Sequence, residues 1–309
     1  MKTKDRDFAS YLAIVDSFID QSSLPQTDAA LIKQELKTFI TVRFKKDKWV
    51  PPEITKFCTD WYREFYRMVD GQDPYKLLKQ KSNEEALKTL RFINSENLQE
   101  CIAASIVGNK IDYGACLLGT YDLNQLKHDL EHLRDFPLHV DETAIFKQKL
   151  KTAQTVLFLP DNNGEIIFDT LLLKKIKEQV GKENLFIMGK ETPMLNDVTV
   201  SELSELHIDD YGQIVSSGSN CFGLHTEDVS DECKNILNQV DLIIAKGQAY
   251  MEFFTEYNFS NVIHLLTVKY PIISPAFGTL PSGYNVVMCS ERYAHLGKNY
   301  FGGNTNETN

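Results

Sequence analysis

The fold is predicted by the stretch Phe158-Leu159-Pro160-Asp161-Asn162-Asn163-Gly164-Glu165. An apolar run that begins at Thr155 ends here in carboxylate and amide side chains and a glycine, and an amphipathic helix follows. This layout is typical of the turn between a strand and a helix at the carboxyl edge of an open α/β sheet. Backbone N–H groups and side chains converge at such an edge. We therefore expect a ligand or metal site at this turn.

From about residue 150 onward, short apolar runs alternate with charged helical stretches. Alternation of this kind predicts βαβ units and a mostly parallel sheet. The continuous apolar runs at 156–159 and 242–245 suit strands that are buried on both faces. We expect a three-layer α/β/α domain over residues 151–300. Its predicted strands are 155–159, 184–188, 213–215, 241–245, 262–267 and 285–288.

The first half of the chain predicts a mainly helical domain, residues 1–150. Apolar residues recur with a helical period over 7–20 and 28–44, and Pro51-Pro52 begins a helix that Gly71 ends. A segment at 76–81 is followed by Ser82-Asn83-Glu84-Glu85, a predicted capping box for a second helix through residue 92. We predict that the tail, residues 301–309, is disordered because it has little to bury.

Charge and cysteine content narrow the class of protein. The chain has 33 basic and 43 acidic residues, a net charge of −10, which argues against broad binding to nucleic acid or an anionic membrane. A net negative charge is still compatible with a local basic pocket that binds a small anion. No apolar stretch approaches the roughly 20 residues that span a bilayer, and six cysteines are scattered without a C-x-x-C pair. We expect a cytoplasmic protein, and its oligomeric state is left open.

Four polar clusters follow predicted strands, and parallel strand ends share one edge of a sheet. Asp161 and Asn162 offer hard oxygen ligands, and Asp197 supplies another carboxylate after the next strand, which predicts a three-oxygen site for a divalent cation. Glu165 is predicted to bind metal, water or a substrate hydroxyl. The alternative is that the first cluster is a turn with a helix cap, and that Asp197 or its neighbour Asn196 caps the following helix.

The other two clusters predict a phosphate site. Ser217-Gly218-Ser219 places small hydroxyl residues around a glycine, a pattern that exposes backbone N–H groups to an anion. Lys246, at the end of a buried strand, offers a point charge to a phosphate, and Lys269 is a second lysine of this kind. Taken singly, a loop rich in serine and glycine is in most cases an ordinary connection without a ligand. A lysine at a strand end is usually a surface residue.

A polar segment interrupts the helical half of the chain, and we expect it to reach the same edge of the sheet. It lies between Gly108 and Gly114 and carries Asn109 and Asp112, which are turn residues in the alternative interpretation. The chain lacks G-x-G-x-x-G after a strand, the Walker loop and the G-x-S-x-G elbow, so dinucleotide, P-loop and serine-hydrolase functions lose their main support. The charged segment with His128 and His132 favours a solvated helix face over a zinc pair.

Together these motifs resemble those of the metal-dependent damage-control phosphatases, the family also called domain of unknown function 89. The resemblance runs in order from about residue 70 to residue 290. The chain differs in residues 1–50, which lack the paired cysteines of prokaryotic-type members. The matching motifs are Asp73-Pro74-Tyr75 with Lys79 and Asn83, Gly108-Asn109-x-x-Asp112-Tyr113-Gly114, Asp161-Asn162-x-Gly164-Glu165-x-x-Phe168-Asp169, Lys190-x-x-Pro193-x-x-Asn196-Asp197, Ser217-Gly218-Ser219 and Lys246-Gly247-Gln248.

The resemblance implies a helical domain joined to an α/β/α domain and a divalent cation (Mn, Mg, Co or Ni) held by Asp161, Asn162 and Asp197. It also implies hydrolysis of phosphate monoesters of small metabolites, such as sugar phosphates, phosphopantetheine derivatives or damaged by-products. We expect water to attack the phosphate while Lys246 or Lys269, together with the serine loop, neutralises the charge that develops on the phosphate oxygens. Attack by Asp161 itself is a less favoured alternative.

Two other functions stay open from sequence alone. Members of this family are also described as carboxyl methyltransferases that use S-adenosylmethionine. The turn at Asp161-Asn162 suits that cofactor poorly, because carboxylates crowd the place where the nucleotide has to approach. The second is a metal- or metabolite-binding protein without turnover.

Overall fold

A seven-stranded sheet forms the centre of the structure, a computed structural model that describes residues 8–46, 54–93, 95, 97–110 and 123–301. The strands, in chain order, are β1 (Val140–Asp141), β2 (Val156–Leu159), β3 (Leu185–Gly189), β4 (Gln213–Ser216), β5 (Leu242–Lys246), β6 (Val262–Thr267), β7 (Ile272–Ser274), β8 (Gly278–Leu280) and β9 (Asn285–Cys289). The sheet has the order β1-β9-β6-β5-β2-β3-β4, and β7 and β8 form a separate hairpin.

Eleven α-helices occur among the described residues. They are α1 (Phe8–Gln21), α2 (Gln26–Lys46), α3 (Ile54–Met68), α4 (Lys76–Leu90), α5 (Leu98–Gly108), α6 (Leu123–Glu131), α7 (Thr143–Thr152), α8 (Glu165–Val180), α9 (Val200–Glu205), α10 (Asp231–Gln239) and α11 (Gly247–Phe254). Short 3₁₀ turns lie at Leu133–Asp135, Lys182–Asn184, Ile208–Asp210, Ser290–Arg292 and Ala294–Leu296. Among the described residues, none of the helices combines the length and the apolar composition that a membrane span requires.

The strand order reverses between β2 and β5. From β2 the chain builds outward through β3 and β4, then returns to the other side of β2 to add β5 and β6, and these neighbours pair in parallel. The antiparallel strand in this sheet is β9, which pairs with β6. A reversal of this kind opens a crevice at the carboxyl ends of the two central strands. The turns after β2 and β5 therefore face each other.

Helices cover both faces of the sheet, and alternate side chains of β2 enter the two cores. Leu157 and Leu159 join the core formed with α1, α2, α3, α10 and α11. Val156 and Phe158 join the core formed with helices α5 to α9. Successive side chains of a strand point to opposite faces, so a fully apolar strand needs a layer on each side. The first three helices thus share a core with the sheet.

The predicted α/β/α architecture with a mostly parallel sheet is confirmed, and the six predicted strands match β2 to β6 and β9. The capping box at Ser82 is wrong. Residues 76–90 form one continuous helix, in which the Ser82 hydroxyl donates to the carbonyl oxygen of Leu78, four residues earlier, at 2.8 Å. The side chain therefore bonds within the helix and does not start a new one.

The division of the chain at residue 150 stays a prediction. The structure places β1 before that point and α7 across it. Residues 302–309, the rest of the tail predicted to be disordered, lie outside the described residues.

Truncation of Phe168 tests the core beneath the sheet. Its ring is fully buried on α8 and packs against Gly108 of α5. We expect Phe168→Ala to lower the free energy of unfolding by about 3 to 5 kcal/mol, since it removes a large apolar group and leaves a cavity. Urea unfolding measures the loss. The matched control is Phe92→Ala, at a side chain 90% exposed, which is expected to change stability by less than about 0.5 kcal/mol. Equal losses in the two variants would contradict this packing.

Candidate active site

A cavity of about 110 Å³ lies between helix α3 and the carboxyl ends of the central strands. Its polar side is lined by Asp161, Asn162, Asp197, Gln248, Glu252 and Lys269. Its apolar side includes Ile14 of α1, Trp61 and Tyr62 of α3, and Phe222. The cavity therefore occupies the crevice that the strand order predicts, and the N-terminal helices close it.

Gly247 allows the two central turns to approach each other closely. Its φ is +77°, a region that favours glycine, and it is the first residue of α11, directly after β5. A Cβ atom added at this position would lie 2.0 Å from the Oδ2 atom of Asp161. The Asp161 carboxylate can therefore occupy this place only because position 247 has no side chain.

Asp197 is brought beside Asn162 by backbone hydrogen bonds between two loops. Residues 162 and 197 form an isolated antiparallel bridge. The N–H of Asn163 donates to the carbonyl oxygen of Asn196 at 2.8 Å, and the N–H of Val198 donates to that of Asp161 at 3.0 Å. The predicted metal ligands Asp161, Asn162 and Asp197 thus come together at one wall of the cavity.

Two amides fix the Asp161 carboxylate. The Nδ2 groups of Asn109 and Asn162 donate to its Oδ2 atom at 3.0 and 2.8 Å. Both amides also donate to Oε2 of Glu165, and Oδ1 of Asn109 accepts from the N–H of Thr267 at the end of β6. Asn109 therefore ties the helical half of the chain to the site, as the sequence predicts. Asp112, predicted to lie nearby, is outside the described residues.

Lys246 and Glu165 lie behind the cavity wall, and neither side chain is exposed. The Lys246 ammonium donates to Glu165, to Asp169 at 2.8 Å and to the carbonyl oxygen of Ser105 at 3.0 Å. These three bonds use its three N–H groups. The expected contact of Lys246 with phosphate is therefore not supported, and Glu165 has both oxygens bound to neighbours that hold the site in place.

The buried cluster contains two carboxylates and one ammonium group. Burial raises the pKa of Asp169 to about 6, since the nearby Glu165 charge adds to the effect of burial and Lys246 offsets part of it. Burial favours a lower pKa for Lys246, but the charges of Asp169 and Glu165 outweigh it and raise the pKa above its usual value. Lys246 therefore stays charged, and the Asp169 carboxyl binds a proton at a higher pH than an ordinary aspartate does.

Positive charge in the cavity comes from Lys269 and from the start of α11. The Lys269 ammonium lies 3.8 Å from Oδ2 of Asp161. Gln248 holds this segment against α11, because its Oε1 atom accepts from the N–H groups of Lys269 and Tyr270. Gln248 and Ala249, in the first turn of α11, line the cavity. The first N–H groups of a helix have no intrahelical acceptors and favour an anion.

The structure places the serine loop away from the cavity. Ser217 and Ser219 are buried beside α10, and a Cβ at Gly218 would lie 2.6 Å from the Cβ of Ser230, the residue that caps α10. The Ser219 hydroxyl accepts from Arg63 of α3 at 3.1 Å. The motif therefore packs loop against helix, and its predicted role in phosphate binding is not supported.

A second layer of polar residues holds the two metal-site loops together. Asn163 donates to Glu202 at 3.0 Å and accepts from Asn83 of α4 at 2.9 Å. Glu202 pairs with Lys79, which also pairs with Asp73. Asp73, Lys79 and Asn83 belong to the motifs of the resemblance, whereas no motif in the sequence predicted Asn163 or Glu202 as residues of the site. The signal for Glu202 was available, because Thr199 and Glu202 have capping-box spacing and form one.

The donor set fits a hard divalent cation. The Asn162 amide donates to Asp161 and Glu165 through its nitrogen, which leaves its carbonyl oxygen as the ligand atom. Asp161 and Asp197 supply carboxylates at the same wall. The described ranges contain no group of three or more His, Cys, Asp or Glu side chains arranged to hold a metal ion. A cation in this cavity would therefore have two carboxylates and one amide as its protein ligands.

Comparison with known proteins identifies the family of the chain. A family model described as the damage-control phosphatase ARMT1-like domain matches residues 9–279. The chain belongs to this family. A solved structure of a DUF89 family protein from Pyrococcus horikoshii has a TM-score of 0.79 and 25% sequence identity, and the match covers 94% of this chain and 99% of that one.

Two relatives within the damage-control phosphatase family support a phosphatase role. Damage-control phosphatase PH1575 of Pyrococcus horikoshii is 30% identical over 230 residues, which cover 74% of this chain and 78% of the relative. A damage-control phosphatase of Archaeoglobus fulgidus is 29% identical over 232 residues, which cover 71% of this chain and 76% of the relative.

Replacement of Asp169 by asparagine tests the buried cluster. The folded-state pKa of about 6 exceeds the value of about 3.9 for an unfolded aspartate, so the folded protein keeps a proton that the unfolded chain releases between those values. Stability therefore falls as pH rises through this window. The quantity to compare is the free energy of unfolding of the wild type minus that of Asp169→Asn. We expect this difference to fall by about 2 kcal/mol from pH 4 to pH 6.

Urea unfolding at closely spaced pH values measures this difference. Asp231→Asn, at a side chain 93% exposed, is the matched control and is expected to leave the pH dependence of the wild type unchanged. Curves for the wild type and Asp169→Asn that run parallel from pH 4 to pH 6 would contradict the raised pKa.

Proposed function

We propose that the protein is a metal-dependent phosphatase that hydrolyses phosphate monoesters of small metabolites. One observation carries the proposal: Asp161, Asn162 and Asp197 line a single cavity together with Lys269 and the first turn of α11. Oxygen ligands for a cation and positive groups for an anion thus meet at one place. The substrate that we expect is a small ester such as a sugar phosphate or a damaged phosphometabolite.

Asp161, Asn162 and Asp197 would hold the divalent cation, for which Mn, Mg, Co and Ni are the expected metals. When bound, such a cation supplies Lewis-acid stabilisation of the charge on a phosphate ester. The protein's own contribution begins with orientation. The amides of Asn109 and Asn162 fix one Asp161 oxygen, and Asn163 and Glu202 hold the Asp197 loop beside it.

Phosphate binding is assigned to Lys269 and to the N–H groups at the start of α11. Lys269 is mostly buried beside Asp161, so its ammonium group acts in a medium that screens charge weakly. The helix start adds donors that need no reorganisation when the phosphate charge changes. Trp61 and Tyr62 of α3 line the opposite wall. There they would exclude water and contact the carbon part of the ester.

Lys246, Glu165 and Asp169 support the reaction from behind the cavity wall. Glu165 accepts from Asn109 and Asn162, the same two amides that orient Asp161, and Lys246 balances its charge. These buried groups are positioning residues in the proposal. They keep the amide nitrogens turned inward and the Asn162 carbonyl oxygen available as a ligand.

Charge-removing variants of the metal ligands test the proposal. The purified protein is stripped with EDTA, and release of inorganic phosphate from a panel of small phosphate esters is measured with and without added Mn²⁺ or Mg²⁺. We expect the metal to restore activity in the wild type. Asp161→Asn and Asp197→Asn are expected to lower kcat/KM at least about a hundredfold, because each loses an anionic ligand.

Asp231→Asn is the matched control for these variants, since it removes a carboxylate of α10 whose side chain is 93% exposed. Full activity in Asp161→Asn or Asp197→Asn would overturn the site. Metal binding by the wild type without phosphate release from any ester would favour a binding protein without turnover.

Lys269→Gln tests the phosphate site separately. Loss of one charged hydrogen-bond donor is expected to lower kcat/KM by about tenfold to a hundredfold. Binding of Mn²⁺, measured by calorimetry, should persist because Asp161, Asn162 and Asp197 are intact. Lys81→Gln, at a lysine whose side chain is 72% exposed on α4, is the control. An unchanged kcat/KM in Lys269→Gln would remove this lysine from the phosphate site.

A further inference from the structure

The loop that carries Asp197 contains a leucine in a strained backbone conformation. Leu195 has φ of +50°, in the left-handed region that a bulky L residue adopts only when its surroundings hold it there. Its side chain is 2% exposed and lines the cavity. The turn closes when the N–H of Asp197 donates to the carbonyl oxygen of Met194 at 3.0 Å. The direction in which Asp197 leaves the turn therefore depends on the conformation of Leu195.

Tyr66 of helix α3 holds this leucine. The N–H of Leu195 donates to the Tyr66 hydroxyl oxygen at 2.8 Å, and the Tyr66 side chain is itself buried. A backbone N–H in a tight turn that lacks a backbone acceptor needs such a partner, because a buried unpaired donor is costly. The hydroxyl thus favours the left-handed conformation over alternatives that would turn the N–H away.

Helix α3 is fixed on the α/β part of the molecule independently of Tyr66. Arg63 donates to Asp228 at 2.7 Å and to Asn220 at 3.0 Å. The hydroxyl of Thr59, one turn earlier, accepts from the N–H of Phe222 at 2.9 Å. The Tyr66 hydroxyl is therefore presented to the Asp197 loop by a helix that does not depend on this one bond for its position.

We propose that Tyr66 is a positioning residue for the cation site: by holding Leu195 in its left-handed conformation, it sets Asp197 beside Asp161 and Asn162. The inference rests on the proposed function in taking Asp197 as a ligand of the cation. It gives the N-terminal helices a role in cation affinity, in addition to closing the cavity. The Leu195 side chain forms part of the cavity wall, and the Tyr66 hydroxyl offsets the strain of its backbone conformation.

Calorimetric titration of the full-length, EDTA-stripped protein with Mn²⁺ tests this inference. Tyr66→Phe removes the hydroxyl and keeps the ring. We expect it to raise the dissociation constant for Mn²⁺ about fivefold, the effect of losing one hydrogen bond that holds a ligand loop. At saturating Mn²⁺, kcat should stay near that of the wild type, since the loop regains its position once the cation is bound.

Tyr75→Phe is the matched control. Its hydroxyl is also buried and donates to the carbonyl oxygen of Phe18 at 2.6 Å, away from the cavity. It is expected to lose stability comparably and to bind Mn²⁺ as the wild type does. A raised dissociation constant in both variants would show a general loss of stability and would overturn the inference.

The coupling with position 195 gives a second readout. The asparagine side chain has the same branching as leucine, and asparagine enters the left-handed region more readily. In a Leu195→Asn background, Tyr66→Phe should therefore raise the dissociation constant less than about twofold. The same fivefold loss in that background, or no loss in the wild-type background, would overturn the role of Tyr66. Failure of the wild type to bind Mn²⁺ would instead overturn the proposed cation site.

Discussion

The site depends on the ion pairs and the hydrogen bond that the fully buried ammonium group of Lys246 makes. This group joins three elements, because the lysine ends β5, its carboxylate partners Glu165 and Asp169 lie on α8, and Ser105 lies on α5. A charge in the interior is tolerated only when its partners are well placed, and removal of one partner of a buried pair typically costs about 3 to 5 kcal/mol. The start of α8 is therefore held against the end of β5. Asp161 and Asn162, in the turn just before α8, are held there with it.

The polar residues of the site form two layers, one buried behind the cavity wall and one at the wall itself. Behind the wall, the Lys246 ammonium pairs with the carboxylates of Glu165 and Asp169. At the wall, Asp161, Asn162 and Asp197 present oxygen atoms to the cavity, with Lys269 beside them. Asn109 and Asn162 connect the two layers, since each donates to Glu165 behind and to Asp161 in front. Amides suit this position because their nitrogen binds two carboxylates without adding charge.

Some of these roles could be predicted from sequence, and others could not. The position of Asp161, Asn162 and Asp197 after neighbouring parallel strands followed from the alternation of apolar runs, because parallel strand ends share one edge. The direction of a side chain at that edge did not follow. Lys246 and the serine loop also come after strands, yet Lys246 points into the interior and Ser217-Gly218-Ser219 packs on α10. The aromatic wall from α3 was missed as well, since helical periodicity marks a buried face without naming what that face contacts.

Local patterns were enough to predict six of the nine strands, the α/β/α class and the edge where polar side chains gather, because hydrophobic periodicity and turn residues are local properties of the chain. They could not predict which of those side chains meet in the cavity. That choice depends on the reversal of strand order between β2 and β5, on the absent side chain at Gly247, and on contacts between residues more than a hundred positions apart, such as Tyr66 with Leu195. Such long-range contacts form only when the chain folds back on itself, so no local pattern records them.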